Sequence, residues 1–171
     1  NIKEITDSFP EYAKDLKLNY SKIINENIFE KEQLYSLILV SAMTSGSEKF
    51  INSALKECEE FLPQDFIDAT YIAHSIMSMN ATYYRFIHLI EFKEYSTLPA
   101  NLRMLSLNKH KLAKHDFEML CLAVSVILGC GKCINAHEKI LREQNISLIK
   151  IQSVARIASV INAIFHVSKA I

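Results

Sequence analysis

A chain of 171 residues, half of them apolar, is long enough to bury one substantial core. Lys plus Arg (19) balances Asp plus Glu (19), and charged residues such as Lys14, Asp15, Lys17, Glu57, Glu59 and Glu60 read as solvated helix faces. That pattern excludes the basic stripe of a nucleic-acid binder, and three Gly with three Pro exclude a turn-rich fold.

Taken in chain order, the elements are helical and no segment reads as a strand. Ser8-Phe9-Pro10-Glu11 reads as a cap with Pro in the first turn, followed by an apolar stripe at Tyr12, Leu16, Tyr20, Ile23 and Ile24. A second helix is predicted from Lys31 to about Thr44 and a third from Ser47 to Leu62. Pro63 opens a fourth, with a stripe at Phe66, Ile67, Thr70, Ala73 and Met77, continuing towards Ile90. Glu91 to Thr97 reads as a polar connection, and Pro99 as the start of a short helix through Leu105. From about Ala113 to Leu128, Phe117, Leu120, Cys121, Val124, Ile127 and Leu128 keep to one helical face, and Gly129 interrupts it. A new helix is expected from about Cys130 to Glu143. Asn145 to Ser147 then forms a turn with Ser147 as N-cap, and a last helix carries Ile151, Val154, Ala158, Ile161 and Phe165.

The nearly uncharged stretch Met119 to Gly131 is shorter than the roughly 20 residues a membrane span needs. Asn1 to Ile5 lacks the basic start and apolar run of a signal peptide. The expectation is a soluble cytoplasmic chain with no membrane partner. Its four cysteines are therefore not a disulfide scaffold. Cys58 and Cys121 fall within helical patterns as small buried hydrophobes. The Met and Tyr residues around Met77, Met79, Tyr83 and Tyr84 read as core or subunit contacts.

The chain also repeats itself. Gly46-Ser47-Glu48-Lys49-Phe50-Ile51-Asn52 aligns with Gly129-Cys130-Gly131-Lys132-Cys133-Ile134-Asn135, and Ile72-Ala73 with Ile76 align with Ile157-Ala158 and Ile161. The expected fold is all-α, one domain over 1–171 built from two pseudo-symmetric helical halves, about 10–90 and about 98–171. Ser47 and Phe50 stand where the second half has cysteines, so the chemistry belongs to that second half.

Cys130 and Cys133, at i and i+3 of a helix start, bring both sulfurs to one side within reach of a disulfide. Free N–H groups and the helix dipole favour a thiolate there, Lys132 adds positive charge, and Gly129 and Gly131 leave the backbone open. His137 lies on the same stripe, where an imidazole can take a thiol proton near neutral pH. In an antiparallel hairpin about Gly129, Glu118 returns beside His137 with a difference in level of roughly 7 Å. A carboxylate orienting a histidine that serves a cysteine is triad logic. The same spacing also suits zinc, with Cys130, Cys133, His137 and a fourth ligand such as His115. Simple packing of both cysteines is a third reading. His74, His88, His110, His115 and His166 lack the register of His137 and read as structural.

These residues resemble the alkyl hydroperoxidase D family of the carboxymuconolactone-decarboxylase-like superfamily. The similarity rests on Glu118, Ala123-Val124-Ser125, Gly129-Cys130-Gly131-Lys132-Cys133, Ala136-His137-Glu138 and Leu141-Arg142. It extends to the stretch from Pro10 to Asn19 and to Met79-Asn80 with Tyr84-Arg85. The resemblance implies an all-helical homotrimer with an antioxidant role. Its dithiol would reduce an alkyl hydroperoxide, or re-reduce an alkyl hydroperoxide reductase peroxiredoxin. No bound cofactor is implied. Electrons would come from dihydrolipoamide, carried by a lipoylated acyltransferase subunit and its flavin dehydrogenase. The implied roles are Cys133 as the peroxide-attacking thiol that becomes a sulfenic acid, Cys130 as the resolving thiol and disulfide partner, and Glu118 with His137 as proton relay. Lys132 departs from the family, whose members can carry histidine there. A lysine stabilises a thiolate by charge but shuttles protons poorly near neutral pH, with a reference pKa of about 10.4.

Overall fold

A computed structural model describes all 171 residues as eight α-helices with no strand. They are α1 (Ile2–Asp7), α2 (Lys14–Asn25), α3 (Lys31–Ser45), α4 (Glu48–Cys58), α5 (Gln64–Leu89), α6 (Lys114–Ile127), α7 (Gly131–Glu143) and α8 (Leu148–Ala170). Three short 3₁₀ turns lie at Glu11–Ala13, Lys93–Thr97 and Leu105–Asn108.

The centre is the pair α3 and α6. Gln33 to Met43 of α3 are buried without a break, as are Met119 to Ser125 of α6. A helix buried on all sides carries apolar residues all round rather than on one stripe. Its few polar groups must then bond internally. Ser36 donates to the Gln33 carbonyl (3.0 Å), Ser41 to that of Leu37 (2.6 Å) and Ser125 to that of Cys121 (2.8 Å). Gln33 donates to Asp116 Oδ1 (2.6 Å) and accepts from Lys150 Nζ (2.7 Å), which ties α3, α6 and α8 together.

Around this pair the helices form two triplets in the same order. α3, α4 and α5 have 15, 11 and 26 residues; α6, α7 and α8 have 14, 13 and 23. α3 packs on α4, α5, α6 and α8, while α6 packs on α7, α8, α3 and α5, so exchanging the triplets preserves the contacts of this central pair. Ser47 and Cys130 are the N-caps of the corresponding helices α4 and α7. Gly46 is required at its turn, because a Cβ there would lie 2.6 Å from the Ala42 carbonyl oxygen.

Several expectations are corrected. α1 was not foreseen; Ile2 is fully buried, and the Glu57 carboxylate accepts from the backbone N–H of Ile2 (2.7 Å) and Lys3 (3.2 Å) and from the Tyr20 hydroxyl. Glu57 is therefore an anchor rather than a solvated charge, and hydrogen bonds to a charged group contribute about 1.5–3 kcal/mol each. Ser8 closes α1 instead of opening the next helix, and a 3₁₀ turn intervenes before α2, leaving Tyr12 80% exposed. No helix runs from Pro99 to Leu105, since Asn101 adopts a left-handed φ of 53° and the turn forms only at Leu105–Asn108. The polar connection after Ile90 contains the 3₁₀ turn Lys93–Thr97. α8 has the length and apolar composition to cross a membrane, a feature overlooked in the sequence. Half of its apolar window is buried in the fold, against α2, α3, α6 and α7, which makes it a core helix.

His74 of α5 carries one pH prediction. Burial holds its imidazole below the usual range, and Thr44 Oγ1 lies 3.3 Å from Nδ1. The unfolded chain then binds the proton first, so this contribution to stability is full above a pH of about 6.5 and is lost as pH falls through the folded value. The melting temperature is expected to fall between about pH 7 and about pH 5. His74→Gln should flatten that slope, as calorimetry would check.

Candidate active site

The site is built at the junction of α6, α7 and α5. α6 ends in a left-handed residue, Gly129 (φ 66°), and the Cys130 N–H donates back to the Ser125 carbonyl (3.1 Å). This turn reverses the chain and lays α7 antiparallel along α6. Cys130 becomes the N-cap of α7, its Sγ accepting from the Cys133 N–H at 3.3 Å. Cys130 and Cys133 are joined as a disulfide with Cα atoms 5.3 Å apart, and they are only 2% and 7% exposed. They form a small apolar cluster with Ala81, apart from the main core, packed under Tyr84 and Leu128.

Glu118 and His137 meet across the hairpin, with His137 Nδ1 2.7 Å from Glu118 Oε2. Their side chains are 15% and 14% exposed. The separation in level expected from the sequence is closed by direct contact. A carboxylate only accepts, so Nδ1 carries the hydrogen, and in the neutral imidazole Nε2 is then the acceptor nitrogen.

The disulfide has two faces. On the Cys133 side lies a cavity of about 360 Å³ lined by His137, Met77, Asn80, Tyr84, Leu107 and Ala136 together with Lys132. On the Cys130 side lies a smaller pocket of about 110 Å³, bounded by Tyr84, Arg85, His88, Leu89 and Lys132 with Gly129 and Gly131. Tyr84 and Lys132 border both, and Lys132 Nζ sits 5.0 Å above the Tyr84 ring. Arg85 Nη1 donates to the Leu128 carbonyl (3.2 Å), tying α5 to the end of α6 just before Gly129.

The sequence reading missed what α5 supplies. The sequence pattern gives Asn80, Arg85 and His88 no part in the site, and Met77 and Tyr84 read there as core or subunit contacts. One turn-spaced row, Met77, Asn80, Ala81, Tyr84 and His88, faces the cysteines; that spacing was visible, but its target was not. The ligand set considered for zinc is not assembled, because no three His, Cys, Asp or Glu side chains lie close enough to hold a metal. His115 Nε2 instead lies 3.3 Å from Asp116 Oδ1. His110 stacks on Phe117 at 3.8 Å and His166 packs against Phe165. Cys58 and Cys121 are buried and free, and burial pushes both thiols up, which keeps them protonated and inert.

The chain is 42% identical over 164 residues to the alkyl hydroperoxide reductase AhpD of Maricaulis maris, covering 96% of this chain and 95% of that protein. It belongs to the AhpD family. The AhpD of Coxiella burnetii is 41% identical over 170 residues (98% and 96% of the two chains), and that of Acidobacterium capsulatum 40% over 164 residues (95% and 90%). The Carboxymuconolactone decarboxylase family model matches residues 93–170, a span that holds the cysteine pair, Glu118 and His137. The AhpD family assigns the chain an activity related to alkyl hydroperoxide reduction, on an all-α fold.

Proposed function

We propose that the protein is a thiol peroxidase and disulfide oxidoreductase that reduces alkyl hydroperoxides through Cys133 and Cys130. The observation that carries this is the Glu118–His137 pair at 2.7 Å, with His137 lining the same cavity as Cys133. His137 Nε2 takes the Cys133 proton. The thiolate attacks the terminal peroxide oxygen; an S–O bond forms, the O–O bond breaks, and the alkoxide leaves with the proton held by His137. Cys133 is now a sulfenic acid. Cys130 attacks its sulfur, releasing water and forming the disulfide. The two cavities support this order of cysteines, since the peroxide side holds the base and the Cys130 side opens on a separate pocket edged by Arg85, His88 and Lys132.

Dihydrolipoamide is the proposed reductant. Its thiolate attacks Cys130 Sγ from the second pocket, Cys133 leaves, and a second exchange restores the dithiol and releases oxidised lipoamide. A peroxiredoxin of the alkyl hydroperoxide reductase system and a lipoylated acyltransferase subunit are the proposed protein partners. A homotrimer in the cytoplasm is the proposed setting, on the strength of the family resemblance. Lys132 favours a second reading. With its ammonium held over Tyr84 and no histidine in its place, the dithiol would serve mainly as reductant of a partner protein.

Cys130→Ser tests the assignment of the nucleophile. With a stoichiometric alkyl hydroperoxide, it is expected to accumulate a sulfenic acid at Cys133 that a dione reagent traps and peptide mass analysis locates. Absence of any trapped adduct, with wild-type protein oxidised under the same conditions, would contradict it.

A further inference from the structure

Asn80 has no part in the proton relay, yet among the residues bordering the cavity it holds the one buried polar atom without a partner. The residue is 9% exposed and its Oδ1 is buried without a hydrogen-bond partner. Its Nδ2 donates to Met104 Sδ at 3.2 Å. A thioether is a weak acceptor and no donor, so the amide nitrogen belongs on that side and the carbonyl is the free end. The residues around it in the cavity, Met77, Tyr84, Leu107 and Ala136, are mainly apolar. An unpaired buried carbonyl is costly, and native proteins hold few of them outside functional sites.

We infer that Asn80 is a substrate-binding residue whose carbonyl accepts the O–H of the hydroperoxide; this deepens the proposed peroxidase reading and rests on it. Asn80 lines the cavity while its carbonyl is closed to bulk water and has no partner within the protein, so a turn about χ2, a soft torsion for Asn, would be the step that offers it to a ligand inside the cavity. A hydroperoxide offers one donor, the hydrogen on its terminal oxygen, which is also the oxygen the Cys133 thiolate attacks. Holding that hydrogen fixes the terminal oxygen and leaves the alkyl group to the apolar wall. The hydrogen stays on this oxygen as the sulfenic acid hydroxyl, while the proton on His137 goes to the alkoxide. Asn80 therefore does not compete with the relay. It selects R–O–O–H over dialkyl peroxides, which lack the donor.

Asn80→Leu, close to isosteric, separates this role from a structural one. Expected is an about tenfold fall in kcat/KM for an alkyl hydroperoxide, carried mostly by KM. Reduction of the Cys130–Cys133 disulfide by dihydrolipoamide should be unchanged, and the melting temperature equal or higher, because an unpaired buried carbonyl is removed. Should this variant not fold, Asn80→Ala is read by the same two half-reactions. Unchanged kcat/KM in a wild-type protein that turns over peroxide would overturn this inference alone, as would equal losses in both half-reactions with a lowered melting temperature. A wild-type protein with no peroxide turnover would overturn the parent reading and this one with it.

Discussion

Cys133→Ser is expected to reduce alkyl hydroperoxide turnover to the uncatalysed background, a loss on the order of 10³-fold or more. The exchange of sulfur for oxygen is nearly isosteric, so the packing against Ala81 and Tyr84 should survive and circular dichroism should be unchanged. What disappears is the thiol that shares a cavity with His137, the imidazole paired with Glu118. Cys58 and Cys121 cannot substitute, since both are 1% exposed and burial keeps their thiols protonated. Cys130 lies on the other face of the disulfide, away from His137. Residual turnover above background in this variant would move the nucleophile to Cys130.

The second large effect belongs to the relay. In the proposed mechanism His137 accepts the Cys133 proton and returns it to the leaving alkoxide, so His137→Gln is expected to slow peroxide reduction by about 10²–10⁴-fold. Glu118→Gln should cost less, about 10–10²-fold, because an amide can either accept from Nδ1–H or donate to Nδ1. The second arrangement puts the hydrogen on Nε2, the wrong nitrogen for a base. A difference between the two variants in peroxide reduction, with unaltered thermal unfolding, is the signature of orientation rather than of fold. Equal and small losses in both would reduce the pair at 2.7 Å to a structural contact between α6 and α7.

Most of the fold and of the placement of residues around the cysteines was legible in the sequence for reasons that can be named. Local signals placed the helix boundaries within a few residues. Gly129 ends α6, Cys130 caps α7, and Ser147 caps α8 by accepting from the Lys150 N–H at 3.3 Å. Helical register then put Cys130, Cys133 and His137 on one stripe, and hairpin geometry brought Glu118 to His137. Contacts between distant segments were not legible. α1 starts under a local capping box, Asn1 with Glu4, but its docking depends on Glu57, 55 residues away, which holds the Ile2 N–H, and no local pattern encodes that contact. The stretch from Pro99 to Met104 keeps helical composition, but the left-handed Asn101 breaks it. α5 escaped because a row such as Met77, Asn80 and Tyr84 looks like ordinary packing until its partner helix is known. Asn80 is the instructive case: a polar residue inside an apolar row was the available signal, and its meaning depends on the cavity it borders.

The central claim is that Cys130 and Cys133 cycle between dithiol and disulfide at the expense of an alkyl hydroperoxide. The most direct measurement is peroxide consumption by the purified wild-type protein with dihydrolipoamide as sole reductant. The account predicts multiple turnovers, with one lipoamide disulfide formed per peroxide lost. Stoichiometric consumption that stops after one equivalent, or none at all while the Cys130–Cys133 disulfide still forms and is reduced reversibly, would contradict it and leave an electron-transfer partner as the better description.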